Sequence, residues 1–216
     1  MTARTRFHRR VLGAGLVAAG LMLQGCVGAV VGAGAVVGGA AMQDRGVKGA
    51  VTDNGIALEI SHYWFQEGKS TIFSSISTQI YEGRVLLTGA VTNPDTRAEA
   101  VRLAWKAGGI REIINEIEVT DEGGVKAYAK DVWSANELRS RLLFAKGINS
   151  ANYTVEVVNG TVYILGVWAD QAELDRVLAV ARNLANVRRV VSHAIARDDP
   201  RRFRTPPGAD AAPASS

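Results

Sequence analysis

A short apolar stretch bounded by glycines occurs twice in the chain and constrains the fold more than any other feature. The run Gly83–Gly89 (GRVLLTG) returns as Gly160–Gly166 (GTVYILG), 77 positions further along. An apolar run this short predicts a buried strand rather than a helix, and its first glycine predicts a hairpin turn with positive φ. The same offset carries Ile110–Ile114 onto Val187–Val191. The chain is therefore predicted to contain two tandem copies of one small domain.

Each copy is predicted to fold in the order helix, strand, strand, helix, strand. The first helix is expected to begin near Asp53 or Asn54, which are good N-cap residues, and the elements after it are predicted at 74–81, 84–91, 94–107 and 111–119. In the second copy the predicted elements are 131–145, 152–158, 161–168, 170–184 and 187–196. The fold class is therefore α+β, and each domain is an αββαβ unit whose three-stranded mixed sheet carries two helices on one face.

The predicted domains cover residues 53–120 and 126–197. Domains of this size bury only about 60% of the surface that their unfolded chains expose. Because each copy would be marginally stable alone, we expect the two copies to pack against each other.

The N-terminal region has the composition of a secretory signal. Four arginines within the first ten residues precede an uncharged run from Val11 to Ala41, which is the order of a basic n-region and an apolar h-region. Leu23-Gln24-Gly25-Cys26 then resembles a bacterial lipobox, so we predict a signal peptide at 1–25 and lipid attachment at Cys26. A lone cysteine can instead be a buried apolar thiol. Val27 after the cysteine favours the outer membrane as the destination, with the protein facing the periplasm.

Two further segments are predicted to form no core. Residues 26–52 begin with the lipidated cysteine and are rich in Gly, Ala and Val, which is typical of a flexible tether. The four-residue spacing of some of their glycines leaves close helix contact as an alternative, and an unprocessed run of 11–41 would be long enough to span a bilayer. Residues 198–216 are dominated by Pro, Ala, Ser and Arg and are predicted to be disordered.

The charge of the chain does not predict a nucleic-acid partner. The net charge is +4 and the pI is about 9.4. The four arginines of the signal peptide account for all of this excess, and without them 21 basic residues balance 21 acidic ones. A neutral mature protein lacks the basic surface that binding to a polyanion requires.

No set of residues predicts catalysis or a bound cofactor. His62 and His193 lie in different copies, and no group of Cys, His and Asp has the spacing of metal ligands. The run Gly68–Ser70 (GKS) lacks the upstream glycine and the strand-to-helix setting of a P-loop. The protein is therefore predicted not to be an enzyme, with no catalytic residue, metal site or cofactor.

The order of these motifs resembles the BON domain of bacterial envelope proteins. The family pattern is a helix, a hairpin leading into G-x-V-x-L-x-G, a second helix and a closing strand, and the resemblance covers about residues 44–196. Its most specific stretches are Asp131–Trp133, Leu138–Leu143, Val155–Val157, Gly160–Gly166 and Asn115–Ile117. The chain departs from the pattern at Tyr63–Phe65 and in its long tail. Two such domains behind a lipobox resemble dual-BON outer-membrane lipoproteins, which implies binding to anionic phospholipid through the first helix of the second domain.

The residues of that helix are consistent with this implication. Placed at 100° per residue, Leu138 and Leu142 lie on the core side and Trp133 and Phe144 lie opposite. An exposed aromatic pair flanked by arginines is typical of a membrane-interface surface. The predicted phospholipid-binding residues are Trp133, Arg139, Ser140, Arg141, Leu143 and Phe144. The alternative is that Trp133 and Phe144 are buried against the first domain.

The charge of each copy favours the second domain as the one facing an anionic surface. Residues 53–119 carry a net charge of −3, whereas residues 126–197 carry +4. The predicted partner is therefore an anionic phospholipid membrane, and the predicted role is maintenance of the outer membrane. The alternative is a periplasmic adaptor that docks an envelope or cell-wall protein on the same aromatic face.

Overall fold

The structure is a computed structural model that describes residues 44, 46–67, 70–121 and 125–207. These residues fall within one compact unit. The predicted signal peptide at 1–25, the lipidation site Cys26, most of the predicted tether and residues 208–216 of the tail lie outside the described residues, so those assignments stay predictions.

Each half of the described chain contains one three-stranded sheet and its helices. The first domain comprises α1 (Gly46–Gln66), α2 (Ser70–Ser75), β1 (Ile76–Tyr81), β2 (Arg84–Val91), α3 (Pro94–Ala104) and β3 (Glu112–Val119). The second domain comprises α4 (Val125–Phe144), β4 (Tyr153–Val158), β5 (Thr161–Trp168), α5 (Gln171–Arg182) and β6 (Arg189–Ala196). Two short 3-10 helices cover Ser150–Asn152 and Pro200–Phe203.

The two sheets have the same topology and the same register. In each, the middle strand pairs antiparallel with the strand before it and parallel with the strand after α3 or α5. Ile76 lies opposite Gly89 in the first sheet, and Tyr153 lies opposite Gly166 in the second. This confirms the predicted α+β fold with two mixed three-stranded sheets.

One face of each sheet is covered by the helices of its own domain. In the first domain, Ile60 of α1 and Leu103 of α3 pack in one core with Leu87 of β2. In the second, Leu138 of α4 and Val177 of α5 pack in one core with Ile164 of β5. The helices therefore lie on one face, and α2 is a short addition where the sequence predicted the first residues of a strand.

The first helix of each domain starts earlier than the sequence predicted. Asp53 and Asp131 were expected at or near the N-termini of these helices, but α1 begins at Gly46 and α4 begins at Val125. The Asp53 carboxylate instead accepts hydrogen bonds from the backbone N–H groups of Glu82 and Gly83, both at 2.8 Å. Asp131 does the same for the hairpin turn of the second domain. An aspartate that could cap a helix thus holds a neighbouring turn.

The ends of the predicted tether and tail also differ from the structure. Part of the predicted tether 26–52 belongs to α1, and Asp44 accepts two hydrogen bonds from the Arg197 guanidinium, at 2.8 and 3.1 Å. In the predicted disordered tail 198–216, a 3-10 helix forms at Pro200–Phe203. Asp44 and the 3-10 helix are each held by an ion pair with a distant residue, Arg197 and Glu82 respectively. The composition of a segment does not predict such pairs.

The two sheets pack against each other through their other faces. Leu86 of β2 and Tyr163 of β5 are both fully buried in this interface. Arg84 is also buried, and its guanidinium binds the Glu112 carboxylate at 2.7 Å and the His193 carbonyl at 3.0 Å. The described domains therefore form four layers, with helices outside and the two sheets inside.

Equivalent residues of the two copies meet across this interface. Gln79 Nε2 donates to Glu156 Oε2 at 3.1 Å, and these positions are separated by the repeat offset of 77. His193 Nε2 lies 2.9 Å from Glu116 Oε1, again with a separation of 77. Contacts between equivalent positions are the property of a two-fold, isologous interface. An approximate two-fold axis thus relates the domains.

Candidate functional site

Helix α4 has one buried stripe and one exposed apolar face. Leu138 is fully buried and Leu142 nearly so, because both pack against the second sheet. On the opposite side, Trp133 is 70% exposed and Phe144 is 80% exposed. We call the exposed side the α4 outer face, and it comprises Val132, Trp133, Ser140, Leu143 and Phe144.

The aromatic residues of the α4 outer face lie along one line parallel to the helix axis. Trp133 and Phe144 are separated by three helical turns, which at 1.5 Å per residue is about 16 Å. Leu143 is 64% exposed and lies on a neighbouring line with Val132. The face therefore presents two exposed apolar pairs, Val132–Trp133 and Leu143–Phe144, with the polar Ser140 between them.

The alternative of burial against the first domain is wrong for Trp133 and Phe144. The first domain packs against the second through the sheet faces, around Leu86 and Tyr163. Helix α4 lies on the other side of the second sheet, so Trp133 and Phe144 stay exposed and are not buried by the described part of the first domain. The structure brings together all six predicted residues on or beside this face, and it leaves their binding of phospholipid as a prediction.

Arg139 is engaged by its own domain. Its Nη2 donates to the Val155 carbonyl at 2.6 Å, and its Nη1 donates to Asn136 Oδ1 at 3.1 Å. The guanidinium also lies 3.7 Å from the Glu156 carboxylate. Val155 is in β4, an edge strand, so Arg139 caps a carbonyl on the exposed edge of the sheet.

Arg141 is engaged as well. Its Nη2 lies 2.6 Å from the Glu137 carboxylate one turn earlier, and its Nη1 donates to the Asn183 carbonyl at 3.3 Å. Both arginines that were predicted to flank the aromatic residues are therefore already hydrogen-bonded or ion-paired within the fold.

Lys130 is a basic residue of this surface that the sequence reasoning missed. It is exposed and lies one turn before Trp133, and no hydrogen bond or ion pair joins it to the described residues. Its i, i+3 spacing from Trp133 is the signal that could have found it. The predicted start of α4 at Asp131 excluded Lys130 from the helix and hid that spacing.

Glu156 connects this surface to the domain interface. Burial raises the pKa of the Glu156 carboxyl, and the Arg139 guanidinium and the Gln79 amide partly counter this effect. Its carboxylate lies near the Arg139 guanidinium of α4 and accepts a hydrogen bond from Gln79 of the first domain. The group therefore costs free energy in its ionised form because it loses water on folding.

Helix α1 of the first domain carries a second exposed apolar face. Leu58 is 72% exposed and Phe65 is 78% exposed, and exposed His62 lies between them on the same side of the helix. We call these three residues the α1 outer face. Trp64, part of the departure from the family pattern, is buried, and its indole N–H donates to the Ala100 carbonyl at 3.1 Å.

The described residues contain neither a membrane-spanning helix nor a cluster of metal-binding side chains. Among residues 44–207, apart from the undescribed gaps, no helix is both long and apolar enough to cross a bilayer. Over the same residues, no group of three or more His, Cys, Asp or Glu side chains is placed to hold a metal ion.

A model of the BON domain matches residues 68–121 and 130–197. The chain belongs to the BON-domain family. The first BON domain match begins after α1, and the second includes most of α4, both aromatic residues of the α4 outer face, and β6. The C-terminal 3-10 helix at Pro200–Phe203 lies beyond both matches.

Three relatives illustrate the range of proteins that this BON-domain chain is similar to. An uncharacterized protein in the gshII 5′ region of Anaplasma centrale is 38% identical over 144 residues, which cover 66% of this chain and 93% of that protein. The outer membrane lipoprotein DolP of Haemophilus influenzae is 27% identical over 176 residues, covering 82% and 91%. The osmotically-inducible protein Y of Escherichia coli is 30% identical over 119 residues, covering 54% and 59%. These similarities support a dual-BON, DolP-like protein of the bacterial envelope.

Proposed function

We propose that this protein is a lipid-anchored envelope protein whose α4 outer face contacts anionic phospholipid and helps to maintain the outer membrane. The observation that carries the proposal is the exposure of Trp133 and Phe144 on a helix whose other side is already packed. In water the rings of Trp133 and Phe144 are hydrated, and at a membrane interface the same rings are partly buried.

Magnitudes suggest a weak and reversible contact. Burying one aromatic side chain stabilises by about 1.5–3 kcal/mol, and one basic residue near an anionic surface contributes about 1 kcal/mol. Ordering costs and the internal pairing of Arg139 and Arg141 reduce this sum. The acyl chains proposed on Cys26 would hold the protein at the membrane, and α4 would set its orientation there.

The anchoring proposal has its own test. Cys26→Ala should leave an unprocessed precursor in cells, because lipid attachment at this residue precedes cleavage. A mature wild-type chain that begins at another residue and carries no acyl chain would remove the lipoprotein assignment. It would leave the proposed role of α4 untouched.

Vesicle flotation of the lipid-free mature chain tests the phospholipid contact. The wild type should float with vesicles that contain anionic lipid and much less with neutral ones. Trp133→Glu should reduce flotation at least about tenfold, since a loss of 1.4 kcal/mol corresponds to that factor. Its melting temperature should stay close to that of the wild type because Trp133 is exposed.

The matched control is Leu58→Glu in α1. Leu58 is as exposed as Trp133, but it lies in the domain of opposite net charge. If both variants lose flotation equally, contact is not specific to the second BON domain. If Trp133→Glu floats like the wild type, the α4 outer face is not a lipid contact.

A protein-binding adaptor is a second candidate. It is favoured by the pairing of Arg139 and Arg141 and by Glu137, a carboxylate beside the aromatic residues. A partner protein could bind the exposed apolar side chains of the α4 outer face without needing free cations. Failure of the wild type to float on any anionic composition, together with crosslinking of a Trp133-dependent partner in the envelope, would favour this candidate.

A further inference from the structure

The 3-10 helix Pro200–Phe203 binds the first domain. The Arg202 guanidinium makes two hydrogen bonds with the Glu82 carboxylate, at 2.6 and 2.7 Å. The side chains are only 9% and 10% exposed, so this is a largely desolvated, bidentate ion pair. Glu82 is in the β1–β2 turn, so the end of the chain returns to the hairpin of the first domain.

The backbone of this segment is held as well as its side chain. Arg111 Nη1 donates to the Arg202 carbonyl at 2.5 Å and to the Glu82 carbonyl at 3.1 Å. The segment is also fixed internally, since Arg202 donates to the Arg197 carbonyl and Asp199 caps the 3-10 helix. The first domain therefore binds both a backbone carbonyl and the guanidinium of this segment.

A cavity of about 290 Å³ lies beside this contact. We call the first-domain side of this cavity the first-domain groove, and its lining includes Lys48, Thr52, Asp53, Glu82 and Arg111. Phe203 forms part of the wall while 70% of its side chain stays exposed. The chain's own segment therefore provides an arginine for the groove but leaves room that an aromatic side chain could fill.

The corresponding turn of the second domain lacks the acidic group. Asn159 occupies the position of Glu82, and both residues have positive φ, 46° and 54°. Arg188 donates to the Asn159 carbonyl as Arg111 does to Glu82. The Asn159 amide, however, binds Glu118 at 2.9 Å. Only the first domain therefore offers a carboxylate to an incoming arginine.

We propose that the first-domain groove is a binding site for a basic-aromatic peptide of an envelope partner, and that residues 199–203 occupy it in cis. The partner segment would carry an arginine next to an aromatic residue, like Arg202-Phe203 in this chain. The Glu82 carboxylate would bind the arginine of such a segment and Arg111 its backbone carbonyl, as both do for Arg202. The site lies outside the α4 outer face, so this proposal stands independently of phospholipid binding.

The cis segment sets a threshold for any partner. A segment tethered by a short linker competes at an effective concentration in the millimolar range. A free peptide should therefore bind the wild-type chain at least about tenfold more weakly than a chain whose own segment is disabled. Access to the groove would depend on displacing the C-terminal segment.

Fluorescence anisotropy of a labelled peptide with the sequence of residues 198–207 tests the proposal on the full chain. The double variant Arg202→Ala/Phe203→Ala opens the groove while keeping the chain length. It should bind the peptide at least tenfold more tightly than the wild type does. A peptide with alanine at the position of Arg202 should not bind the double variant more tightly than it binds the wild type.

The matched control adds Glu82→Asn to the opened chain. This places the residue of the second domain in the first, and asparagine tolerates positive φ. Binding should fall at least tenfold with little change in melting temperature. Peptide binding that ignores Glu82→Asn, or no binding to a folded opened chain, would overturn the proposal.

Two further measurements distinguish peptide binding from destabilisation of the variant and from dimerisation. If the opened chain melts at a much lower temperature, excess peptide is added to the wild type, and shifts of the Glu82 and Gly83 amide resonances should report displacement. No shifts at saturating peptide would count against the site. If the wild type is a dimer that Glu82→Asn converts to a monomer, the occupant is the C-terminal segment of a second copy, and a separate partner is excluded.

Discussion

The first helices of the two domains, α1 and α4, share a design and differ in their surroundings. Each buries one stripe on its own sheet and exposes large apolar side chains on the outside, such as Phe65 in α1 and Phe144 in α4. Lys130, Arg139 and Arg141 belong to α4, whereas Lys106 near α1 is paired with Glu67 at 3.0 Å. The comparison teaches that the buried side fixes the shared fold, while the outer side and its charges distinguish the two domains.

The layer order makes this difference consequential. Because the sheets face each other, α1 and α4 lie on opposite outer surfaces of the described domains. A single flat membrane in contact with α4 would therefore leave the α1 outer face turned away from it.

The largest expected effect concerns the shared core. Leu87 and Ile164 occupy equivalent positions in the middle strands, and both are fully buried. Either substitution to alanine should cost about 2–5 kcal/mol in the free energy of unfolding, from lost burial and a cavity. Chemical denaturation should show similar losses for the two variants. Tolerance of either one would break the equivalence of the cores.

The next effect concerns the aspartates that hold the hairpins. Asp53→Ala and Asp131→Ala each remove a charged acceptor from two backbone N–H groups. Hydrogen bonds to charged groups contribute about 1.5–3 kcal/mol each, and partial solvation of the turns should reduce the total. We expect a loss of about 2–3 kcal/mol in unfolding free energy for each variant. Asp→Asn variants, which retain one acceptor, serve as controls and should lose less.

A smaller effect should separate the charges beside α4. Lys130→Ala should weaken binding to anionic vesicles about fivefold, the equivalent of about 1 kcal/mol. Arg139→Ala should weaken it less, because that guanidinium already binds the Val155 carbonyl. Vesicle titrations at low and high salt measure both, and the Lys130 effect should shrink with salt because it is Coulombic. A larger loss for Arg139 would show that its internal contacts give way at the membrane.

The smallest effect depends on pH. Glu156 faces Gln79, its equivalent in the first domain, and burial raises the pKa of the Glu156 carboxyl in the folded state. The protonated form thus favours folding below the unfolded pKa of about 4.3, and that contribution is lost as pH rises through the folded pKa. Glu156→Gln makes the two positions identical and should raise the melting temperature slightly at pH 7. Melts near pH 3.5 should show a smaller increase in melting temperature for this variant. An increase that grows on acidification would contradict a raised pKa of the Glu156 carboxyl.

Much of the fold could be predicted because its signals are local. Gly83 and Gly160 precede the middle strands, Gly89 and Gly166 lie within them, and all four have φ between 70° and 155°. Asn93 and Asp170 cap α3 and α5 as side-chain acceptors, so these helices begin where the sequence predicted. Local backbone requirements and apolar periodicity are therefore enough to define the topology of each domain.

The remaining features depend on contacts between distant residues. The N-termini of α1 and α4 were placed wrongly because Asp53 and Asp131 bind hairpins far away in the sequence. The exposure of Trp133 could be predicted from the helical wheel, but a wheel does not say which face of the domain meets its neighbour. The i, i+4 pair of Glu137 with Arg141 could be predicted from spacing, but the contacts of Arg139 with Val155 and of Arg202 with Glu82 depend on tertiary geometry.

The approximate two-fold axis has a consequence for how such a protein can arise. In an exactly symmetric pair of identical domains, the residue at each axial position would face its own copy, so Glu116 would meet Glu116 and Glu156 would meet Glu156. Two carboxylates in contact repel each other and each resists ionisation. Fusing the two domains into one chain frees each side of the axis to mutate separately. The pairs Glu116–His193 and Gln79–Glu156 are complementary contacts that only a duplicated gene, and never a homodimer, can encode.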